Sequence, residues 1–180
     1  MLGQEVASSD NEDKEDDKDD NDKEKKKKKK DEDKKAAKDN GGKCRVSNNY
    51  SSGVLQWCGL ITKYAEQRGL DPNLIAAVMT QESGGNPLAY SHSGAVGLMQ
   101  VMPRDGIAAS FQCPNGPCFA GRPSIAQLQD PQYNLEYATG MLAGLVSRYG
   151  SVREALFHYG PTGSGYYYAD KVLGILAAYK

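Results

Sequence analysis

Apolar residues return at helical spacing along most of the chain beyond residue 53. Leu55, Cys58, Ile61 and Ala65 trace one stripe, Trp57, Leu60 and Tyr64 widen it, and Gly69 ends it, predicting a helix that starts near Val54. Asp71 followed by Pro72 has the form of an N-cap and a first helical position. Leu74, Ile75, Val78 and Met79 then give a second helix an apolar face that runs to about Ser83, and Gly84, Gly85, Asn86 and Pro87 stop it. A short helix is expected over residues 93–101, around Gly97, Leu98, Met99 and Gln100, with Pro103 as its end. Residues 104–130 read as irregular, with one turn near Ile107 to Phe111. Leu135, Ala138, Leu142 and Leu145 predict a long helix from Pro131 to Tyr149, closed by Gly150. Ser151 with Glu154 forms a capping box for a helix from Val152 to Tyr159. The glycine-rich loop 160–165 leads to a last helix from Tyr166 to Tyr179. Strand-like alternation of useful length is missing, so the expected fold class is mainly α.

Charge divides the chain sharply. Of the 180 residues, 1–43 hold 13 of the 22 basic and 15 of the 23 acidic ones, with no aromatic residue. Such a segment buries too little apolar surface to offset the entropy of ordering it, so 1–43 is expected to be disordered and low in complexity. Residues 44–180 carry all 15 aromatic residues and all four cysteines, and form one predicted domain. Its near-neutral charge argues against nucleic acid as a partner. No segment is long and apolar enough to span a membrane.

Four cysteines allow three pairings, and the sequence does not choose among them. Cys113 and Cys118 bracket a turn-rich Pro-Asn-Gly-Pro loop suited to a short disulfide. A Cys44–Cys58 bond would pin the start of the domain to its first helix. Zinc ligation fits the spacing poorly, so no metal is expected. Disulfides would place the protein in an oxidising, extracytoplasmic compartment, although residues 1–10 show neither the basic nor the apolar region of a signal peptide.

Glu82 is the chemically unusual residue. Leu74, Val78 and Glu82 are spaced i, i+4, i+8, which puts a carboxylate on the apolar face of its helix, at the C-terminal end where the dipole disfavours an anion. Both effects raise its pKa and favour the protonated acid that glycosidic cleavage needs as proton donor.

The blocks Gln81-Glu82-Ser83-Gly84-Gly85-Asn86-Pro87 and Ser93-Gly94-Ala95-Val96-Gly97-Leu98-Met99-Gln100-Val101-Met102-Pro103 resemble the signature of the soluble lytic transglycosylases. Asn134, Gly140, Leu145, Tyr159 and Tyr168 resemble the later landmarks in order, so the resemblance covers about residues 55–176. It implies a lysozyme-like fold, no cofactor, and peptidoglycan glycan strands as partner. It further implies Glu82 as the single catalytic acid and Ser83 as a residue positioning substrate or carboxylate. Gly97, Leu98, Met99 and Gln100 become cleft-lining residues, Met99 as an apolar wall and Gln100 as an amide facing the sugar. Tyr159 would orient Glu82 through its hydroxyl, and Tyr168 would face the cleft. Two departures stand out: Gly160 replaces the usual asparagine after the tyrosine, and Arg104-Asp105-Gly106 replaces the commoner small residue and threonine after Pro103, where the Cys113–Cys118 insert also lengthens that side of the cleft.

What the resemblance implies for chemistry is cleavage between N-acetylmuramic acid and N-acetylglucosamine, with a 1,6-anhydro end as product and one glutamate acting as acid and then base. The alternatives are a goose-type lysozyme that uses water, with Asp105 or Asp130 directing it, and a binding relative without turnover. His92 and His158 are candidate substrate contacts, neither with the neighbours of a catalytic triad. A monomer is expected. The lysine run from Lys25 to Lys30 is a candidate contact for anionic wall polymers.

Overall fold

A computed structural model describes residues 42–180. The expectations for residues 1–41, the run from Lys25 to Lys30 included, lie outside the described residues.

Helices dominate. In chain order they are α1 (Ser52–Leu55), α2 (Cys58–Gln67), α3 (Pro72–Glu82), α4 (Ile125–Leu128), α5 (Pro131–Tyr149), α6 (Val152–Tyr159) and α7 (Tyr167–Tyr179). The only paired strands among the described residues are β1 (Gln112–Cys113) and β2 (Gly116–Pro117), a two-rung hairpin. No helix among the described residues is long and apolar enough to cross a membrane.

Local chemistry sets the helix ends. The Asp71 carboxylate accepts from the Asn73 N–H at 2.9 Å and Pro72 opens α3. Asp130 does the same for α5, accepting from Tyr133 N–H at 2.7 Å, and Gly150 ends that helix in the left-handed region at φ +78°. Ser151 caps α6 by accepting from the Glu154 N–H at 3.1 Å, but the Glu154 side chain does not complete the box. It accepts instead from the Tyr166 hydroxyl at 2.7 Å.

Three segments depart from their sequence expectations. The first predicted helix is two, α1 and α2, parted at Gln56 and Trp57. There the Trp57 indole N–H turns to the Gly85 carbonyl at 2.9 Å, and the Cys58–Cys44 disulfide holds the start of α2. The expected helix at 93–101 is a tight loop, closed by reciprocal hydrogen bonds between Val96 and Val101 of 2.9 and 3.1 Å. Gly97 at φ +79° and Gln100 at φ +47° leave the right-handed helical region, which rules out a continuous helix. Within 104–130, besides the expected turn (a 3-10 helix, Gly106–Ser110), the capping box of Ser124 and Gln127 starts α4.

The core sits around α3. Leu74 to Met79 are all buried, six consecutive residues, so this helix is enclosed on every side. α2 and α7 pack against it, while α5 lies against α2 and α6. Lys180 and Tyr50 also bear on α3: Lys180 pairs with Asp71 at 2.6 Å, and the Tyr50 hydroxyl donates to the Asn73 carbonyl at 2.9 Å.

A buried amide fixes the 96–101 loop. Asn134 of α5 donates through Nδ2 to the carbonyls of Val96 (3.1 Å) and Leu128 (2.8 Å), and its Oδ1 accepts from the Met99 N–H at 3.0 Å. A Cβ at Gly97 would collide with this amide and with the Leu128 carbonyl, so the loop needs glycine there for space as well as for its positive φ. Replacing Asn134 with Leu strands the buried Met99 N–H and the Leu128 carbonyl and takes one of two donors from the Val96 carbonyl. We expect the domain to lose about 3–5 kcal/mol in urea denaturation, with proteolysis opening first within residues 96–101.

Candidate active site

Glu82 closes α3, and the chain beyond it is held from three directions. Ser83 Oγ donates to the Leu98 carbonyl at 2.8 Å and accepts from the Gly85 N–H at 3.1 Å. Trp57 grips the Gly85 carbonyl. Gly85, at φ +90°, lies so close to the Gly53 carbonyl that any Cβ would overlap it. Gly85 therefore lets α1 touch the end of α3, while Gly84 serves the turn through its φ of +61°.

The Glu82 carboxylate takes a short hydrogen bond from the Tyr168 hydroxyl. Burial pushes the carboxyl up from its ordinary 4.5 to about 7, and the Tyr168 bond, which favours the carboxylate, offsets only part of that. Burial and the nearby Glu82 charge push both Tyr168 and Tyr159 far above the usual phenol range. Both therefore remain neutral hydrogen-bond donors.

The acid opens onto a cleft of about 920 Å³. Glu82, Gln100, Val101 and Met102 line it on one side, Phe111, Phe119 and Arg122 on another, and α5 contributes Met141, Leu145 and Arg148. The end of α6 adds His158, Tyr159 and Gly160. The wall bearing Phe111 and Phe119 is carried by the β1–β2 hairpin, which the Cys113–Cys118 disulfide closes with a Cα separation of 5.0 Å.

Several sequence-derived residues meet here in roles other than those expected. Tyr159 does not hydrogen-bond Glu82; its hydroxyl donates to the Met99 carbonyl at 2.8 Å, because α6 faces the 96–101 loop rather than the end of α3. Tyr168 is the tyrosine bonded to the acid. It is buried behind Glu82 and does not line the cleft. Met99 is fully buried and forms no cleft wall, since Asn134 and Tyr159 draw its backbone inward. Gly97 and Leu98 are buried beside it. Ser83 ties loop to helix. Gln100 does line the cleft, but its amide hydrogens go to the Ala89 and Gly97 carbonyls at 3.2 and 3.0 Å, which leaves Oε1 without a partner among the described residues. His158 lines the cleft, stacked on Tyr149 at 3.8 Å. His92 is exposed, and the residues on either side of it line the cleft instead.

Every other carboxylate of the described residues is engaged elsewhere. Asp105 accepts from the Ile125 N–H at 2.9 Å and Asp130 caps α5, so both candidates for directing water serve helix starts. Glu66 and Asp170 pair with Arg45 and Arg153, Asp71 with Lys180. Glu154 and Glu136 accept from the hydroxyls of Tyr166 and Tyr64. Glu82 alone among them lines the cleft.

Gly160, the departure from the usual asparagine, has a steric cause. A Cβ there would fall within 2.5–2.8 Å of three Tyr168 side-chain atoms. The ring that reaches Glu82 fills the space a side chain would need. The residues that sequence reasoning missed are the far walls. Met141, Leu145 and Arg148 recur at i, i+4, i+7 on α5, a second face that the periodicity contains, whereas nothing marks Arg122 in its irregular segment.

Comparison with known proteins bears on this arrangement. The family model described as "Transglycosylase SLT domain" matches residues 59–179. The chain is 36% identical over 104 residues to the membrane-bound lytic murein transglycosylase C of Sodalis glossinidius, which covers 58% of this chain and 28% of that protein. It is 37% identical over 108 residues to a transglycosylase of Enterobacteria phage PRD1, covering 60% and 36%. Among solved structures, the lytic transglycosylase Slt of Pseudomonas aeruginosa aligns over 67% of this chain and 23% of that one, at 24% identity and a TM-score of 0.46. The matched segments span well under half of these relatives' own length. Since the family match takes in the acid, the loop facing it and both tyrosines, the chain belongs to the transglycosylase SLT domain family.

Proposed function

We propose that this chain is a peptidoglycan lytic transglycosylase acting outside the cytoplasm, with Glu82 as its sole acid and base. The observation that carries this reading is the solitary carboxyl of the cleft, lifted to about 7 by burial while the seven other carboxylates of the domain are occupied elsewhere. Glu82 in its protonated form gives its proton to the glycosidic oxygen between N-acetylmuramic acid and N-acetylglucosamine, and the C1–O bond breaks to leave an oxocarbenium-like centre. A hydrolase would then need a second carboxylate to activate water. None lines this cleft among the described residues. The ionised Glu82 instead takes the proton of the muramic acid 6-hydroxyl, whose oxygen closes onto C1 as a 1,6-anhydro ring. The proton given up in the first step is regained in the second, and no water is consumed. Tyr168 holds the carboxylate in place through both steps. Two disulfides suit the oxidising compartment in which peptidoglycan is met.

Mass spectrometry of digested peptidoglycan tests the chemistry directly. The expected fragments are lighter by one water than hydrolytic ones; full-mass fragments would identify a hydrolase, and intact glycan a binder. Glu82→Gln is expected to abolish cleavage and keep the fold.

The same substitution reports on the buried carboxyl. Because its folded pKa, about 7, exceeds the ordinary 4.5, the part of the stability that depends on Glu82 is fully present below pH 4.5 and is lost as pH rises through 7. Glu82→Gln removes that loss, so the variant should exceed the wild type by about 3 kcal/mol at pH 8 in urea titrations, and the gap should close near pH 4.

Cleavage needs the protonated acid, so the rate should fall as pH rises through about 7. Tyr168→Phe removes a hydrogen bond that favours the charged form. The alkaline limb of its pH–rate profile is therefore expected at higher pH than that of the wild type.

A further inference from the structure

Glu82 takes its orientation from a helix end that has no cap of its own. Tyr168, the donor to the acid, lies in the first turn of α7. Tyr166 occupies the cap position of that helix, and its side chain bonds no backbone N–H of the turn. By contrast α3, α4, α5 and α6 each begin with a side chain that accepts from the backbone. The loop before Tyr166 is poorly suited to hold the turn, since residues 160–165 include three glycines, with Gly163 at φ +85° and Gly165 at φ +57°.

The hold comes instead from α6. Arg153 lies over the Tyr166 ring, 4.0 Å from its centre, and forks onto Asp170 of α7 at 2.8 and 3.1 Å. Glu154 accepts from the Tyr166 hydroxyl at 2.7 Å. Phe157, one turn further along α6, has its ring centre 4.7 Å from that of Tyr166. Three residues of one helix thus grip a single aromatic side chain, and Asp170 is gripped with it. Tyr168 stands between the two gripped positions. The side chains of Arg153 and Asp170 are half open to solvent, and an ion pair so placed adds little to stability. What the clasp controls is position.

We propose that Tyr166 is a positioning residue of the active site: α6 holds its ring, the ring fixes the uncapped first turn of α7, and that turn keeps the Tyr168 hydroxyl on the Glu82 carboxylate. This rests on Glu82 being the reacting acid. Slack at Tyr166 carries the phenol away and leaves the carboxylate without its donor. Because that hydrogen bond favours the charged form, Glu82 then keeps its proton to higher pH. Around the acid, α7 supplies Tyr168 and α6 supplies Tyr159, while Arg122, Arg148 and His158 stand on the cleft walls. Tyr166→Ala alters none of these groups and removes no charge, so its effect on the acid comes through position.

The test is a titration of Glu82 in the full chain by carbon NMR of its carboxyl, identified by its absence from Glu82→Gln, alongside the pH–rate profile of glycan release. Tyr168→Phe sets the scale for loss of the donor, with a midpoint above the wild type by about one pH unit. Tyr166→Ala is expected to move the midpoint and the alkaline limb the same way, by about half as much. Tyr166→Phe keeps the ring against Arg153 and Phe157 and is expected to restore most of the wild-type midpoint. Placed on Tyr168→Phe, the alanine change should add nothing, because the donor it positions is already gone. An unchanged midpoint in Tyr166→Ala overturns the proposal, whatever happens to the overall rate. A shift that persists in full on top of Tyr168→Phe also overturns it, since Tyr166 would then act on the acid by another route. Tyr166→Leu, which keeps apolar bulk beside Phe157, carries the same two readings if the alanine variant does not fold. A wild type that releases no glycan counts against the activity reading alone, because the titration still reports on the clasp.

Discussion

A single buried carboxamide decides where the loop facing the acid sits. Asn134 reaches from α5 to Val96, Met99 and Leu128 with three hydrogen bonds, and the loop has no helix of its own to hold it in their place. Once the loop is there, its outward carbonyls become fixed acceptors. Leu98 receives Ser83 and so ties down the residue after Glu82, while Met99 receives Tyr159 and so anchors the end of α6. The ends of two helices distant in sequence thereby come to border one cleft. Burying an amide is unfavourable unless all its bonds are made; here the bonds it requires are the ones that build the cleft.

Opposing effects meet at Glu82, and magnitude decides between them. Tyr168 donates to the carboxylate, which by itself would make the group more acidic, yet burial at the end of a helix enclosed by apolar residues outweighs it. The outcome is an acid near neutrality that a single donor still holds in one orientation. The tyrosine serves this purpose because it is pushed away from ionisation. A partner that itself lost a proton near pH 7 would swap a hydrogen bond for a charge repulsion.

Much of this was legible in the sequence where one residue's chemistry settles one local question. Asp71 with Pro72, Pro131 and Gly150 mark helix ends that the structure keeps to within a residue or so. Glu82 on an apolar stripe declared a buried acid from spacing alone. The reading failed where tertiary partners override the local pattern. Residues 93–101 look helical by composition, but Asn134, far along the chain, imposes a loop on them through bonds no local pattern encodes. The roles of Tyr159 and Tyr168 were exchanged for the same reason: both were expected near the cleft, and only three-dimensional packing says which hydroxyl reaches which acceptor. The helix α4 went unread within the irregular stretch 104–130, although Ser124 and Gln127 stand at the spacing of the capping box that starts it.

The contact between Gly160 and the Tyr168 ring has a consequence for how such a domain can change over generations. The two positions share one volume, and a side chain at one excludes an aromatic ring lying as it does at the other. An asparagine at 160 beside a tyrosine at 168, the pair that the resembled family carries, therefore needs the ring or its backbone to lie differently from this chain. Restoring a side chain at 160 in this chain displaces the ring that holds the acid. The glycine thus fixes where the tyrosine ring lies, and a change at 160 is felt first at Glu82.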